Sequence, residues 1–191
     1  MTESLGESPK LIDFIHLKKG FLSDEFCDEV VQTYESENFQ YGGHHSFDVK
    51  TRNLKELNIS DRNFINATDS YRRAKIDDAI HGILCENERL QALYLDSNFA
   101  VDSGYSLRRM EKHHYYNYHT DQGLGVDWKI SCSIGLTDDY TGGELQFFRN
   151  PNISFKLGKG DLLTFPSNFM FPHEVLPVKS GVRYVIVTWL S

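Results

Sequence analysis

Residues 129–190 read KISCSIGLTDDYTGGELQFFRNPNISFKLGKGDLLTFPSNFMFPHEVLPVKSGVRYVIVTWL, and this stretch decides the fold. Runs rich in β-branched and aromatic residues (Lys129 to Leu136, Glu144 to Phe148, Leu162 to Phe165, Arg183 to Leu190) alternate with turn signals. Those signals are Asp138-Asp139, Gly142-Gly143, Asn150-Pro151-Asn152, Gly158 to Asp161 and Ser180-Gly181. Many short strands at regular spacing predict a β-sandwich or barrel rather than βαβ units.

Upstream the pattern differs. Leu11 to Leu17 alternates as a strand would, and Leu54 to Ile59 does the same. Ser23 is a good helix N-cap with Asp24 and Glu25 in the first turn, and Phe26, Val30 and Tyr34 follow at helical spacing. A second helix is expected from about Asp69 to Cys85, burying Ile76, Ile80, Ile83 and Leu84. The predicted fold class is α+β, a jelly roll (double-stranded β-helix) with N-terminal helices packed outside the major sheet. One domain is expected over 1–191: a tail at 1–9, N-terminal strands and supporting helices at 10–98, and the jelly-roll core at 99–191.

Composition narrows the function classes. The chain has 191 residues, 40% hydrophobic and 25% charged, the balance of an ordinary globular domain. Of the net charge of −7, residues 1–40 carry most, with nine acidic side chains against three basic. A near-neutral remainder lacks the footprint of a nucleic-acid binder. The short clusters Arg72-Arg73-Ala74-Lys75 and Arg108-Arg109 read as solvated faces. No apolar run reaches the ~20 residues of a membrane helix, and no leader pattern opens the chain. Three dispersed cysteines (Cys27, Cys85, Cys132) argue against a disulfide framework. The expected location is cytoplasmic, with neither nucleic acid nor membrane as partner.

His119-Thr120-Asp121 ends the aromatic run Tyr115-Tyr116-Asn117-Tyr118. On a strand, residues i and i+2 share a face, so this imidazole and carboxylate can converge on one ion. With eight His and 15 Asp, chance alone yields about 0.6 such pairs, so the pair needs company. His173 follows 54 residues later in Phe171-Pro172-His173-Glu174-Val175, a gap that can return the chain to the same barrel mouth. Two histidines and one carboxylate on one side of an ion form the facial arrangement of non-haem Fe(II) sites. Arg183 opens the last strand on the face of Val185, Val187 and Trp189. If that face is interior, the guanidinium needs an anion: a bound dicarboxylate, or a salt bridge to Glu144 or Asp161.

From about residue 105 onward the chain resembles the Fe(II)/2-oxoglutarate-dependent dioxygenases, specifically the prolyl 4-hydroxylase-like branch. The resemblance rests on His119-Thr120-Asp121, Gly142-Gly143-Glu144-Leu145, Gly160 to Phe165, Pro172 to Val178, and Gly181-Val182-Arg183-Tyr184 ending at Trp189. Gly20 to Cys27 resembles the strand-then-helix entry of the same branch. The resemblance implies that His119, Asp121 and His173 hold Fe(II), that Arg183 binds the distal carboxylate of 2-oxoglutarate, and that ascorbate serves as an ancillary reductant. Tyr116 matches a tyrosine frequent at that position and reads equally as a lining of the cosubstrate pocket or as a core aromatic; Trp189 matches one near the end of the last strand that packs the barrel. Two departures stand out: Met110 and Gly135 occupy positions that are tyrosine in many relatives. The carboxylate at Asp121 also argues against the halogenase branch.

The implied activity is hydroxylation of an aliphatic C–H, foremost a prolyl residue in a peptide or protein, with release of succinate and CO2. Alternatives are a hydroxylase of a free amino acid or other small molecule, and a non-catalytic jelly-roll binding module. Residues 38–63, with Tyr41 to His45 and Arg52-Asn53, read either as a substrate-covering lid or as a surface excursion. His44-His45 and His113-His114 are not expected to be ligands.

Overall fold

The computed structural model describes residues 10–41, 51–60, 70–72, 74–76, 78, 102–123 and 125–191. The N-terminal strands are β1 (His16–Lys18), β2 (Gln40–Tyr41), β3 (Arg52–Asn53) and β4 (Lys55–Asn58). The core strands follow as β5 (Ser106–Met110), β6 (Tyr115–His119), β7 (Ile130–Gly135), β8 (Thr141–Gly142) and β9 (Leu145–Phe147). The last five are β10 (Ile153–Phe155), β11 (Leu162–Pro166), β12 (His173–Val175), β13 (Val178–Ser180) and β14 (Arg183–Leu190). The helix α1 spans Asp24–Tyr34.

Two antiparallel sheets face each other, as a jelly roll requires. The major sheet has the order β1-β11-β7-β14-β5-β4-β2 and the minor sheet β10-β9-β12-β6-β3, with β13 and β8 as a separate pair. Alternation along β14 sorts its side chains between two cores. Tyr184, Ile186 and Leu190 face outward against α1, packing with Phe26, Cys27 and Val30. Val185 faces inward, with Met110, Leu145, Phe147, Leu163, Phe165 and Val175. The helix therefore backs the major sheet and leaves the space between the sheets for the site.

Local chemistry explains the elements. Ser23 caps α1 as expected, its Oγ accepting from the Phe26 amide at 3.2 Å. The segment 11–17 departs from the single strand expected. Leu11–Phe14 is a 3-10 turn, and only from His16 does the chain pair with β11. The Asp13 carboxylate accepts from the Lys10 amide at 2.8 Å, a local bond that competes with strand pairing. Residues 70–72, 74–76 and 78 of the second expected helix are helical, with Ile76 buried in the outer core; Ile80, Ile83 and Leu84 lie outside the described residues.

The described part of 38–63 is mainly strand. β2 and β4 extend the major sheet, while β3 joins the minor sheet beside β6; residues 42–50 and 61–63, with His44-His45, lie outside the described residues. Among the described residues no helix is long and apolar enough to cross a membrane.

Gly135 explains one departure. A Cβ there would sit 2.3 Å from the Gly158 carbonyl oxygen, because the 158–161 turn lies directly on this strand through Gly160 N–H to Gly135 O at 2.9 Å. No side chain fits that position, so the tyrosine of many relatives is sterically excluded.

Candidate metal centre

The 54-residue gap between the histidines closes by direct strand pairing. β12 runs antiparallel to β6 with His173 opposite His119, and the two rings lie 4.4 Å apart. Asp121 lies two residues past the end of β6 and reaches toward the major sheet. There Ser131 of β7 donates to its Oδ2 at 2.6 Å, and Ser131 in turn shares a hydrogen bond with Ser167 at 2.8 Å. Asp121 Oδ1 lies 3.5 Å from His119 Nε2, and Oδ2 lies 3.7 Å from His173 Nε2. One ligand atom from each of the three residues falls within 4.8 Å of the others.

Backbone carbonyls set the tautomers. His119 Nδ1 is 2.7 Å from Asn117 O, and His173 Nδ1 is 3.1 Å from Phe171 O. A carbonyl only accepts, so each Nδ1 carries the proton and each Nε2 keeps its lone pair for an ion. Ring packing fixes the orientation: Tyr116 stacks on His119 at 3.6 Å and 12°, and Phe165 meets His173 edge-on at 4.7 Å.

The charge states suit a divalent cation. Burial by itself would raise the Asp121 carboxyl, but the imidazoles of His173 and His119 and the Ser131 hydroxyl outweigh it and hold the group well below the usual carboxylate range. Burial pushes His173 down to about 4 against the pull of Asp121, so its imidazole is neutral at physiological pH. A carboxylate anion flanked by the neutral His173 imidazole and by the inward-aimed Nε2 of His119 fits the donor set of Fe(II).

Arg183 stands on the wall of the same cavity, with Met110, Leu145, Val175 and Val185 around it. It is 2% exposed. Neither Glu144 nor Asp161 forms the salt bridge that was the alternative reading: Asp161 bonds Lys19 Nζ at 2.6 Å and the Gly158 amide at 2.7 Å. Arg183 Nη1 points at Met110 Sδ at 3.3 Å, and its Nε is buried without a partner. Burial pushes its pKa down from the ordinary value while Tyr140 opposes the shift; a guanidinium remains charged throughout. Gly143, at φ +69, makes the room, since a Cβ there would meet Arg183 Cδ at 3.0 Å.

One sequence reading is overturned. Arg108 is not on a solvated face: it is 9% exposed and lines the cavity. Arg72 is likewise half-buried and paired with Glu29 at 3.2 Å. Neighbouring residues on a strand point to opposite faces, so of Arg108 and Arg109 on β5 one had to face inward. Ser131 and Trp128, whose ring stacks on Trp189 at 4.3 Å and 11°, were also unread. Tyr116 lines the cavity. His114 is buried and its Nδ1 accepts from the Glu111 amide at 3.1 Å, which engages it in a turn.

Comparison with known proteins converges on one family. A family model described as the 2OG-Fe(II) oxygenase superfamily matches residues 105–191. A PKHD-type hydroxylase of Idiomarina loihiensis is 36% identical over 91 residues, 45% of this chain and 41% of that protein. One from Colwellia psychrerythraea is 40% identical over 84 residues, covering 40% and 37%. The chain thus spans about two-fifths of the length of these curated relatives. Among solved structures, a prolyl hydroxylase of Trichoplax adhaerens in complex with a hypoxia inducible factor peptide fragment superposes with TM-score 0.76 at 19% identity, over 93% of this chain and 83% of that one. A Pseudomonas putida prolyl-4-hydroxylase gives 0.68 at 20% identity, over 93% and 91%. Residues 105–191 are thus similar to the 2OG-Fe(II) oxygenase superfamily, and the fold that carries the His-Asp-His cluster is that of the prolyl hydroxylase structures.

Proposed function

We propose that this chain acts as one domain and hydroxylates a prolyl residue in a peptide or protein, with His119, Asp121 and His173 holding Fe(II) and Arg183 receiving the distal carboxylate of 2-oxoglutarate. The observation that carries this reading is a cavity lined both by the three clustered ligand residues and by a buried guanidinium with an unpartnered Nε. When bound, Fe(II) and 2-oxoglutarate together with dioxygen supply the oxidising power that converts an unactivated C–H to C–OH, the cosubstrate leaving as succinate and CO2.

The chain's own residues bind, orient and exclude water. Asp121 offers a carboxylate anchored by Ser131, while the Nδ1–H bonds to Asn117 and Phe171 keep both imidazoles from rotating. Val185, Leu145 and Val175 dry the region beside Arg183, and a charge-assisted contact gains strength where water is excluded. Met110 offers a thioether in place of a hydroxyl, so cosubstrate affinity in this reading depends on Arg183. Tyr116 buttresses His119 and lines the cosubstrate's path. Ascorbate would serve as an ancillary reductant. A cytoplasmic setting accords with the free, buried thiols of Cys27 and Cys132.

The peptide preference draws on the prolyl hydroxylases among the structural neighbours. It is tested by incubating the Fe(II) protein with 2-oxoglutarate and a proline-rich peptide library, following succinate release and gain of one oxygen by mass spectrometry. Peptide oxygenation lost in His173→Ala, and weakened cosubstrate binding in Arg183→Met, are expected. Oxygenation of free amino acids alone would replace the peptide assignment by the small-molecule one. Succinate release unchanged in His173→Ala would remove the metal assignment.

A further inference from the structure

Arg108 is a charged residue on the cavity wall to which the reading above gives no task. The strand register places it opposite Val185 on one side and Glu56 on the other. Its neighbour Arg109, on the opposite face, is well satisfied, donating to the Tyr184 hydroxyl at 2.9 Å and pairing with Glu111 at 2.7 Å. Arg108 makes no hydrogen bond among the described residues, and its Nε is buried without a partner. Glu56 Oε2, at 3.7 Å from Nε, stands beyond hydrogen-bond reach. The guanidinium is flanked by the Tyr116 and Trp189 rings at 5.7 and 5.6 Å. Those rings are themselves backed by His119 and Trp128. It is therefore held in place with its donor edge unused.

A buried guanidinium with five donors and no acceptor is costly unless a ligand completes it. The cavity holds two such groups, Arg108 and Arg183. In the reading above, 2-oxoglutarate has only two ends: the distal carboxylate is taken by Arg183 and the oxo-acid end by the ion. An acceptor for Arg108 must then come with the substrate. Its position beside Tyr116, the ring stacked on His119, lies on the metal side of the wall. A planar fork between two rings is suited to a carboxylate.

We propose that Arg108 binds a carboxylate of the substrate, so that the hydroxylated residue carries or adjoins an acidic group: a terminal carboxylate or a neighbouring acidic side chain. This rests on the function proposed above and specifies its substrate class. Glu56 is the internal competitor that holds the guanidinium loosely until the substrate arrives.

The test is equilibrium binding by calorimetry to protein loaded with Mn(II) and saturating 2-oxoglutarate, with N-acetyl-L-proline and N-acetyl-L-prolinamide as probes. The acid is expected to bind wild-type protein at least about tenfold more tightly than the amide. Arg108→Gln should abolish that preference while leaving 2-oxoglutarate affinity unchanged. Glu56→Gln should tighten acid binding, a gain that misfolding cannot imitate. Equal affinities for acid and amide in the wild type, a preference retained in Arg108→Gln, or weaker acid binding in Glu56→Gln would each overturn the proposal. So would loss of 2-oxoglutarate binding in Arg108→Gln, which would assign the carboxylate to the cosubstrate. Absence of 2-oxoglutarate binding to the wild type, or its persistence at full strength in Arg183→Met, would instead count against the proposed function, and the acid-to-amide ratio would still judge Arg108.

Discussion

Asp121 depends on a serine ten positions away more than on anything adjacent to it. Its Oδ2 accepts from Ser131 at 2.6 Å, and that bond aims the carboxylate between the two imidazoles. Partners that orient a metal ligand typically account for 10–100-fold in affinity. Ser131→Ala is therefore expected to weaken Mn(II) binding by roughly 10-fold or more, measured by titration of the protein, while the fold melts as a single unit. Unaltered Mn(II) affinity would show that the bond carries no orienting role. The same scale explains the tautomers: one carbonyl beneath each Nδ1 decides which nitrogen is left for the ion.

At the scale of elements, the β6–β12 register and two turns hold the site together. The turn from Glu111 to His114 docks on β13 through His113 N–H to Val178 O at 2.8 Å and Val178 N–H to His114 O at 3.0 Å. Burial lowers the His114 pKa, against the opposing pull of Glu111, and its Nδ1 must stay unprotonated to accept from the Glu111 amide. With the folded pKa below the unfolded value of about 6.5, the unfolded chain binds the proton first as pH falls. Stability contributed here is thus complete above that value and declines in acid. Urea midpoints of His114→Gln should fall less steeply between neutral pH and pH ~5 than those of the wild type; parallel curves would contradict this. The other turn lies on Gly135, where Gly135→Ala forces a Cβ to 2.3 Å from the Gly158 carbonyl. Overpacking of this kind costs about 1–3 kcal/mol, to be read from the same urea curves.

For the whole molecule, the two cores divide the labour. Val30 lies in the outer core, between α1 and the back of the major sheet. Phe147 lies between the sheets, 5.5 Å from the His173 ring. Truncating Phe147 to Ala should cost about 3–5 kcal/mol and also weaken Mn(II) binding. Val30→Ala should lower stability and leave metal affinity intact. Equal effects on the metal from both variants would show that the sheets transmit strain across their full thickness.

Sequence by itself determined what short-range periodicity encodes. Ser23 and the spacing of Phe26, Val30 and Tyr34 located α1, alternation along Arg183 to Trp189 put Arg183 on the face of Val185, and a two-residue step let His119 and Asp121 converge. Each of these depends on a chain segment shorter than a dozen residues, whose geometry is set by backbone sterics. Tertiary structure decided which distant strands meet: His173 against His119, Ser131 beneath Asp121, the 158–161 turn over Gly135, and Arg108 between Tyr116 and Trp189. Register between strands dozens of residues apart is set by how two cores fill, and no local pattern carries that information. Arg108 shows the difference: two adjacent arginines announce that opposite faces are used, but only the packed sheets reveal which one is buried and left without an acceptor.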